Sequence, residues 1–301
     1  MKKIGIVILH FRGLENTRDC VKSVLNLDPA RDLDVSLLVV DNASEEPYKN
    51  SIGKVEVIRN RENTGFTGGM NTGIKRFLDL DYDYILTVNN DTIFDKGFLK
   101  HANDYLKKED NVGIFSPKIY FYPGTEYHYD RYKVSERGKV LWFAGGKLDR
   151  KNFLPSHRGV DEVDSGQYDE EKTMDFATGC CMIFSRETLR EVGVFDDKYF
   201  LYYEDVDLSL RMRRAHKKLL FMPKAFIWHK NAKSAGGAGS ELQDYYTTRN
   251  RLLLGSHFAA ARTRVALLKE GFSLILRGRK WQKNGSQDFF LRRFGKGSFP
   301  I

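Results

Sequence analysis

The sequence predicts an α/β protein: a mostly parallel central sheet flanked by helices, followed by a basic helical C-terminal region. Three observations predict it. Strand-like and helix-like segments alternate through the first hundred residues. Residues 3–10 (KIGIVILH) and 33–40 (LDVSLLVV) are continuous apolar runs, the pattern of strands buried on both faces. Asp41 and Asp91 stand just past the ends of strand-like runs, where open sheets of this class bind ligands.

The elements follow in order. Residues 3–10 form the first strand. Asn16 or Thr17 can cap a helix running to about Leu25, with Cys20, Val21, Val24 and Leu25 on its inner face. Residues 33–40 form the second strand, ending at Asp41-Asn42-Ala43-Ser44, and residues 54–58 a short third. The glycine-rich stretch 63–69 leads into a helix to about Leu80. Residues 84–88 (YILTV) are a fourth strand, ending at Asn89-Asn90-Asp91.

After residue 110 the pattern is mixed. Residues 121–137, rich in Tyr, His and Gly, read as a loop or irregular hairpin, and the polar stretch 152–172 as a mobile loop. Residues 175–185 are strand-like, 186–192 a short helix ended by Gly193, and 205–215 a helix with Val206, Leu208, Leu210 and Met212 apolar. Two short strands, 219–221 and 225–228, precede a linker at 235–240 (AGGAGS) and a helix over 242–260. The expected organisation is one domain over 1–240, then a basic amphipathic region over 241–301. No internal repeat is present.

Of 301 residues, 41% are hydrophobic and 30% charged, which suits a globular chain. The three cysteines, Cys20, Cys180 and Cys181, are too few and too closely spaced for a disulfide framework or a zinc site, and read as small buried residues of a reducing compartment. The N-terminal MKKIGIVILH reads as the first strand and not a signal peptide, and no run of 18 apolar residues predicts a spanning helix. The net charge of +9 is uneven: twelve Lys/Arg face two acids from Tyr245 onward, so the rest of the chain carries −1. That core offers no basic groove and no nucleic-acid module, which argues against nucleic acid as a partner.

Four segments could carry chemistry. In Val88-Asn89-Asn90-Asp91-Thr92, an acidic residue at a strand end can hold a divalent cation against a diphosphate, although the same residues also make turns. In Tyr202-Tyr203-Glu204-Asp205-Val206-Asp207, three carboxylates crowd a helix start; one could be a general base, and an acidic cap is the alternative. His229, after an apolar strand, could ligate a metal. The glycines of residues 63–73 (NTGFTGGMNTG) would let a nucleotide approach the backbone, without the spacing of a dinucleotide fingerprint or a Walker lysine.

Together and in order, VVDNAS (39–44), NTGFTGGMNTG (63–73), VNNDT (88–92), WFAGG (142–146), the stretch 177–211 and IWHK (227–230) resemble glycosyltransferase family 2, in particular its bacterial rhamnosyltransferase and galactofuranosyltransferase branch. The resemblance covers about residues 4–250. It implies a GT-A catalytic domain over 1–240, with a nucleotide-binding half (1–110) and an acceptor-binding half (111–240), and an inverting, metal-dependent transfer from a nucleotide-diphosphate sugar. dTDP-L-rhamnose is the favoured donor, with UDP-galactofuranose or a UDP-hexose as alternatives. It places His10, Asp41, Asn63, Gly65, Asn71, Asn90 and Asp91 around the donor nucleotide, with Asp41 on the pyrimidine. It makes Asp205 the base and Glu204 its acidic neighbour. Asp91 and His229 would hold Mn²⁺ or Mg²⁺. Trp142, Gly145, Gly146 and Gly179 would shape the acceptor or sugar pocket. The family's Asp-x-Asp begins here with Asn89, leaving fewer anionic metal ligands. An inactive glycan-binding scaffold rests on that departure alone.

The tail is a separate matter. Residues 265–276 (VALLKEGFSLIL) are apolar, and Arg277, Arg279, Lys280, Trp281 and Lys283 follow, then FFLRRF at 289–294. Cations mixed with aromatics suit a helix in the interface of an anionic membrane. This implies a cytoplasmic enzyme peripheral to the inner face of the membrane, beside a polyprenyl-diphosphate-linked or polysaccharide acceptor. Packing on the catalytic domain, or on a second subunit in a homodimer, is the alternative.

Overall fold

A computed structural model of the chain describes residues 1–49, 53–108, 110–230 and 239–300. The first half alternates as expected: β1 (Lys2–His10), α1 (Leu14–Leu25), β2 (Leu33–Asp41), β3 (Val55–Arg59), α2 (Gly65–Asp79), β4 (Tyr84–Asn89), β5 (Thr92–Phe94) and α3 (Phe98–Lys108). The expected cap of α1 at Asn16 or Thr17 is not the one formed. The helix starts at Leu14 after Gly13, whose left-handed backbone turns the chain (φ 73°), and Thr17 is instead buried against His10.

The second half holds β6 (Val112–Phe121), β7 (Leu141–Phe143), β8 (Gly146–Asp149), β9 (Leu154–His157), β10 (Lys172–Thr173), β11 (Cys181–Ser185), α4 (Arg186–Val192), α5 (Glu204–Arg214) and β12 (Lys218–His229). Helices α6 (Glu241–Phe258), α7 (Ala261–Arg277) and α8 (Lys280–Phe290) close the chain. The sequence assigned no strand to residues 112–121, yet β6 is central. Pro117 inside it masks the signal, since proline cannot donate to a ladder; the β6–β12 register shifts beside its partner Met222. That shift also explains why the two short strands expected at 219–221 and 225–228 are one strand. The polar stretch 152–172 is held, not loose: Lys118, 2% exposed, reaches Asp164 and Asp169, each at 2.7 Å. Residues 235–238 of the expected linker lie outside the described residues.

The main sheet runs β10-β12-β6-β11-β4-β1-β2-β3, with β5 beside β12 and β7 beside β6. Strands β1 to β4 are mutually parallel; β11 is antiparallel to both β4 and β6, and β12 is parallel to β6. β1, β2, β4, β6 and β12 therefore point one way. Their ends bring His10, Asp41, Asn89, Phe121 and His229 to one edge of the sheet. The core beneath is apolar, with Ile4, Ile6, Val7, Leu38, Leu86, Ile114 and Ile183 among its buried side chains, and Cys20, Cys180 and Cys181 are free and buried. A second apolar cluster joins Tyr199, Tyr203, Val206 and Leu210 to Leu252, Leu253 and Leu254 of α6.

Candidate active site

At the β2 end, Asp41 is 1% exposed. Its carboxylate accepts from the Ser44 and Tyr48 amides at 2.9 and 3.1 Å and from Arg59 Nη1 at 2.6 Å. Three of its roughly four lone-pair sites are thereby used to shape the loop after β2. His10 supports the same loop. Its ring nitrogens lie 2.8 Å from Thr17 Oγ1 and 2.8 Å from the Glu46 carbonyl, so neither is left over for a ligand. Asn90 donates to Thr17 Oγ1 and to the Arg12 carbonyl, both at 2.8 Å, and so joins the β4 end to that network.

Asn42 organises the next loop, and sequence reasoning passed over it. Its amide donates to Asn63 Oδ1 and the Gly65 carbonyl at 3.0 and 2.9 Å. Its carbonyl accepts from Asn60 Nδ2 at 2.9 Å and from Thr64 N and Oγ1 at 3.2 and 2.9 Å. Its place directly after Asp41 at a strand end was the signal available. Asn63 in turn accepts from the Gly65 amide at 2.9 Å. Gly65 has φ 74°, and a Cβ there would lie 2.5 Å from the Phe200 carbonyl, so only glycine lets the two loops meet. The glycines inside α2 face protein: a Cβ on Gly69 or Gly73 would strike Leu9 or Val7 of β1. Asn71, 2% exposed, bonds the Phe195 carbonyl and amide and Asp197 at 2.9, 3.1 and 2.8 Å, tying α2 to the segment before α5.

Pairing of β5 with β12 sets Thr92 opposite His229, which brings Asp91 to the same histidine. His229 Nε2 lies 3.1 Å from Asp91 Oδ1, both residues are buried, and His229 Nδ1 is buried without a hydrogen-bond partner. Trp142 packs edge-on against His229 and His157, at centroid distances of 4.6 and 4.4 Å. His157, also unforeseen from sequence, bonds the Trp142 carbonyl at 3.1 Å, and burial pulls its pKa down to about 4, so it is neutral near pH 7. Gly145 sits beside Arg158, and Gly146 is enclosed by the Phe176 carbonyl; both belong to the turn that seats Trp142.

The third cluster opens α5. Phe200, Tyr202 and Tyr203 have φ of 65, 67 and 71°, an unusual left-handed series that turns the chain into the helix. Glu204 and Asp205 follow, at the positive end of the helix dipole. Asp205 is half-buried; its two oxygens accept from the Gly179 amide at 2.9 Å and its neighbour Val206 N at 2.8 Å. Burial raises its pKa above the usual aspartate range, and these backbone donors offset part of that rise. Glu204 is 5% exposed and its Oε2 has no hydrogen-bond partner. Burial, then the charge of Asp205, pushes its carboxyl well above the ordinary range. The pair therefore consists of one half-buried, amide-held carboxylate and one buried carboxyl that favours its proton.

A model of the family described as "Glycosyl transferase family 2" matches residues 6–193, more than half of the chain. The chain belongs to glycosyltransferase family 2. This glycosyltransferase is 23% identical, over 83% of its length and 74% of the relative's, to the low-salt glycan biosynthesis hexosyltransferase Agl10 of Haloferax volcanii. It is 25% identical to an N-acetylglucosaminyl-diphospho-decaprenol L-rhamnosyltransferase of Mycobacterium tuberculosis, over 70% of its own length and 71% of the relative's. Among solved structures it resembles GalNAc-T7 with UDP, GalNAc and Mn²⁺ (TM-score 0.59, 13% identity), covering 89% of this chain and just over half, 54%, of that one. It also resembles the Pyrobaculum calidifontis mannosyltransferase PcManGT with GDP-Man and Mn²⁺ (TM-score 0.51, 13% identity, 95% of this chain and 84% of that one). The fold is GT-A, as the sequence resemblance implied.

Proposed function

We propose that the enzyme is an inverting transferase that moves a hexose, with L-rhamnose from dTDP-rhamnose as the favoured donor, onto a lipid-linked or polysaccharide acceptor. The observation that carries this reading is the mounting of Asp205. Its two backbone donors, at 2.9 and 2.8 Å, orient the carboxylate, and its raised pKa improves it as a base for a sugar hydroxyl. The proton-bearing tendency of Glu204 leaves Asp205 the one base of the pair. The rhamnosyltransferase relative favours rhamnose and a prenyl-diphosphate acceptor; the hexosyltransferase relative keeps UDP-galactofuranose and UDP-hexoses open.

Asp91 and His229 suit a divalent cation. One is an oxygen donor, the other an imidazole, and Asp91 Oδ1 and His229 Nε2 converge to 3.1 Å, close enough to share one ion. Among the described residues no group of three His, Cys, Asp or Glu could hold a metal. The protein would thus supply two ligands and the donor diphosphate others. When bound, Mn²⁺ or Mg²⁺ neutralises charge developing on the diphosphate leaving group. Both solved neighbours carry Mn²⁺.

Binding and turnover across a panel of dTDP-, UDP- and GDP-sugars, with each metal, tests the reading. One donor should bind and turn over only with metal. If none binds under any metal condition, the transferase reading of this site is wrong.

No helix among the described residues is long and apolar enough to cross a membrane. The outer face of α7 supports peripheral attachment at the inner membrane face instead. Val265, Phe272 and Leu276 are 52, 58 and 75% exposed there, with exposed Arg262, Lys269 and Arg277 around them. Each cation near an anionic leaflet contributes about 1 kcal/mol. Wild-type enzyme should co-sediment with phosphatidylglycerol vesicles at low salt, and Phe272→Ser with Leu276→Ser should lose that binding. Equal sedimentation with neutral vesicles would refute attachment by charge; a dimer abolished by the same changes would give this face to a second copy of the chain.

A further inference from the structure

The segment that delivers Asp205 is held from outside the half of the chain that contains it. Residues 198–203 approach α5 through the left-handed Phe200, Tyr202 and Tyr203, a course that lasts only when its surroundings enforce it. Two adjacent, fully buried side chains of α6 enforce it here: Arg249 and Asn250 are each 0% exposed. Arg249 Nη2 donates to the Lys198 and Tyr199 carbonyls at 3.2 and 2.9 Å. Asn250 Nδ2 lies 2.9, 2.8 and 2.8 Å from the Tyr199, Leu201 and Tyr202 carbonyls. Four of five consecutive carbonyls are thus claimed by α6, and the fifth, of Phe200, accepts from the Thr67 amide of α2 at 3.3 Å.

The two side chains are themselves locked. Arg249 Nε donates to Asn250 Oδ1 at 2.9 Å, and Nη1 to the Gly295 carbonyl at 2.7 Å. Gly295 N returns a bond to the Lys198 carbonyl at 2.8 Å. Asp288 binds the Tyr245 hydroxyl and the Ser298 amide, closing the C-terminal strap over α6. Tyr246 stacks on Phe200 at 5.4 Å with an interplanar angle of 12°. Arg249 spends its buried donors on backbone carbonyls and a side-chain amide. A guanidinium there costs desolvation that an apolar residue would not, which suits a site selected for geometry and not for stability.

We propose that Arg249 and Asn250 are positioning residues for the base: they fix residues 198–203 so that Asp205 meets the Gly179 amide, which makes the C-terminal helices part of the catalytic unit. The proposal rests on Asp205 being the base.

The test compares full-length Asn250→Ala and Arg249→Lys with Leu267→Ala, a buried α7 side chain that packs on Gly255 in the same apolar cluster as Tyr199 and Tyr203 but holds none of the loop's carbonyls. Displacing a reacting group by about 1 Å costs on the order of 100-fold, so kcat should fall about 10- to 100-fold in Asn250→Ala with donor KM within about threefold. Arg249→Lys, keeping the charge but not the fork, should fall between that variant and wild type. Amide hydrogen exchange over 198–206 should quicken in Asn250→Ala and stay at the wild-type rate in Leu267→Ala, even if both lose equal Tm. Unchanged kcat and exchange in Asn250→Ala, or the same losses in Leu267→Ala, would overturn the proposal. If wild-type enzyme turns over no donor in the panel, the transferase assignment fails, while the exchange comparison still decides whether α6 holds the loop.

Discussion

Replacing Asp205 by asparagine should cut sugar transfer steeply and leave donor binding intact. Asparagine is nearly isosteric and its carbonyl oxygen can still accept one of the two bonds, from Gly179 N or Val206 N, now at 2.9 and 2.8 Å. It cannot take a proton from an acceptor hydroxyl. General-base loss of this kind costs about 10²–10⁴-fold in kcat. The wild-type pH profile carries a second signature. Burial raises the pKa of Asp205, so the acid limb of kcat should lie above the ordinary aspartate range, with activity lost as pH falls through it. That limb should disappear from whatever residual rate Asp205→Asn retains. A mutant within threefold of wild type would move the base elsewhere, with Glu204 the next carboxyl to examine.

The second large effect is expected at Asp91. Asp91→Ala removes the anionic half of the Asp91–His229 pair and leaves the imidazole without its 3.1 Å neighbour. Loss of a group that stabilises developing charge typically costs about 10²–10³-fold, and kcat/KM should fall by that much at fixed Mn²⁺. Raising Mn²⁺ should recover part of the loss, because His229 and the donor diphosphate remain as ligands. Calorimetric titration of Mn²⁺ in the presence of UDP checks this directly. An unaltered metal dependence would separate Asp91 from the cation. The Asn89 substitution in the family's acidic pair sharpens the expectation, since no aspartate stands two residues earlier to compensate.

Much of the sheet was legible in the sequence because it depends on local pattern. The continuous apolar runs of β1 and β2 admit burial on both faces only, and Asp41 and Asp91 follow from where those runs and β4 stop. β6 was not legible: Pro117 interrupts its signal, and its place beside β11 and β12 is a long-range pairing. The family motifs also marked residues without disclosing what their atoms do. His10, Asn71, Gly69 and Gly73 are each engaged with protein, which spacing alone does not distinguish from contact with a nucleotide.

By itself the sequence determined the fold class, the family and the residue types at the proposed catalytic positions, since apolar period and ordered motifs are properties of neighbours along the chain. Tertiary structure alone decided which groups meet. Antiparallel pairing of β5 and β12 brings Asp91 and His229, 138 positions apart in the chain, to 3.1 Å. The grip of Arg249 and Asn250 on the loop before Asp205 is likewise made by a helix remote in sequence. Hydrogen bonds and desolvation depend on distance in space, and a linear pattern carries that distance only where the chain is locally regular.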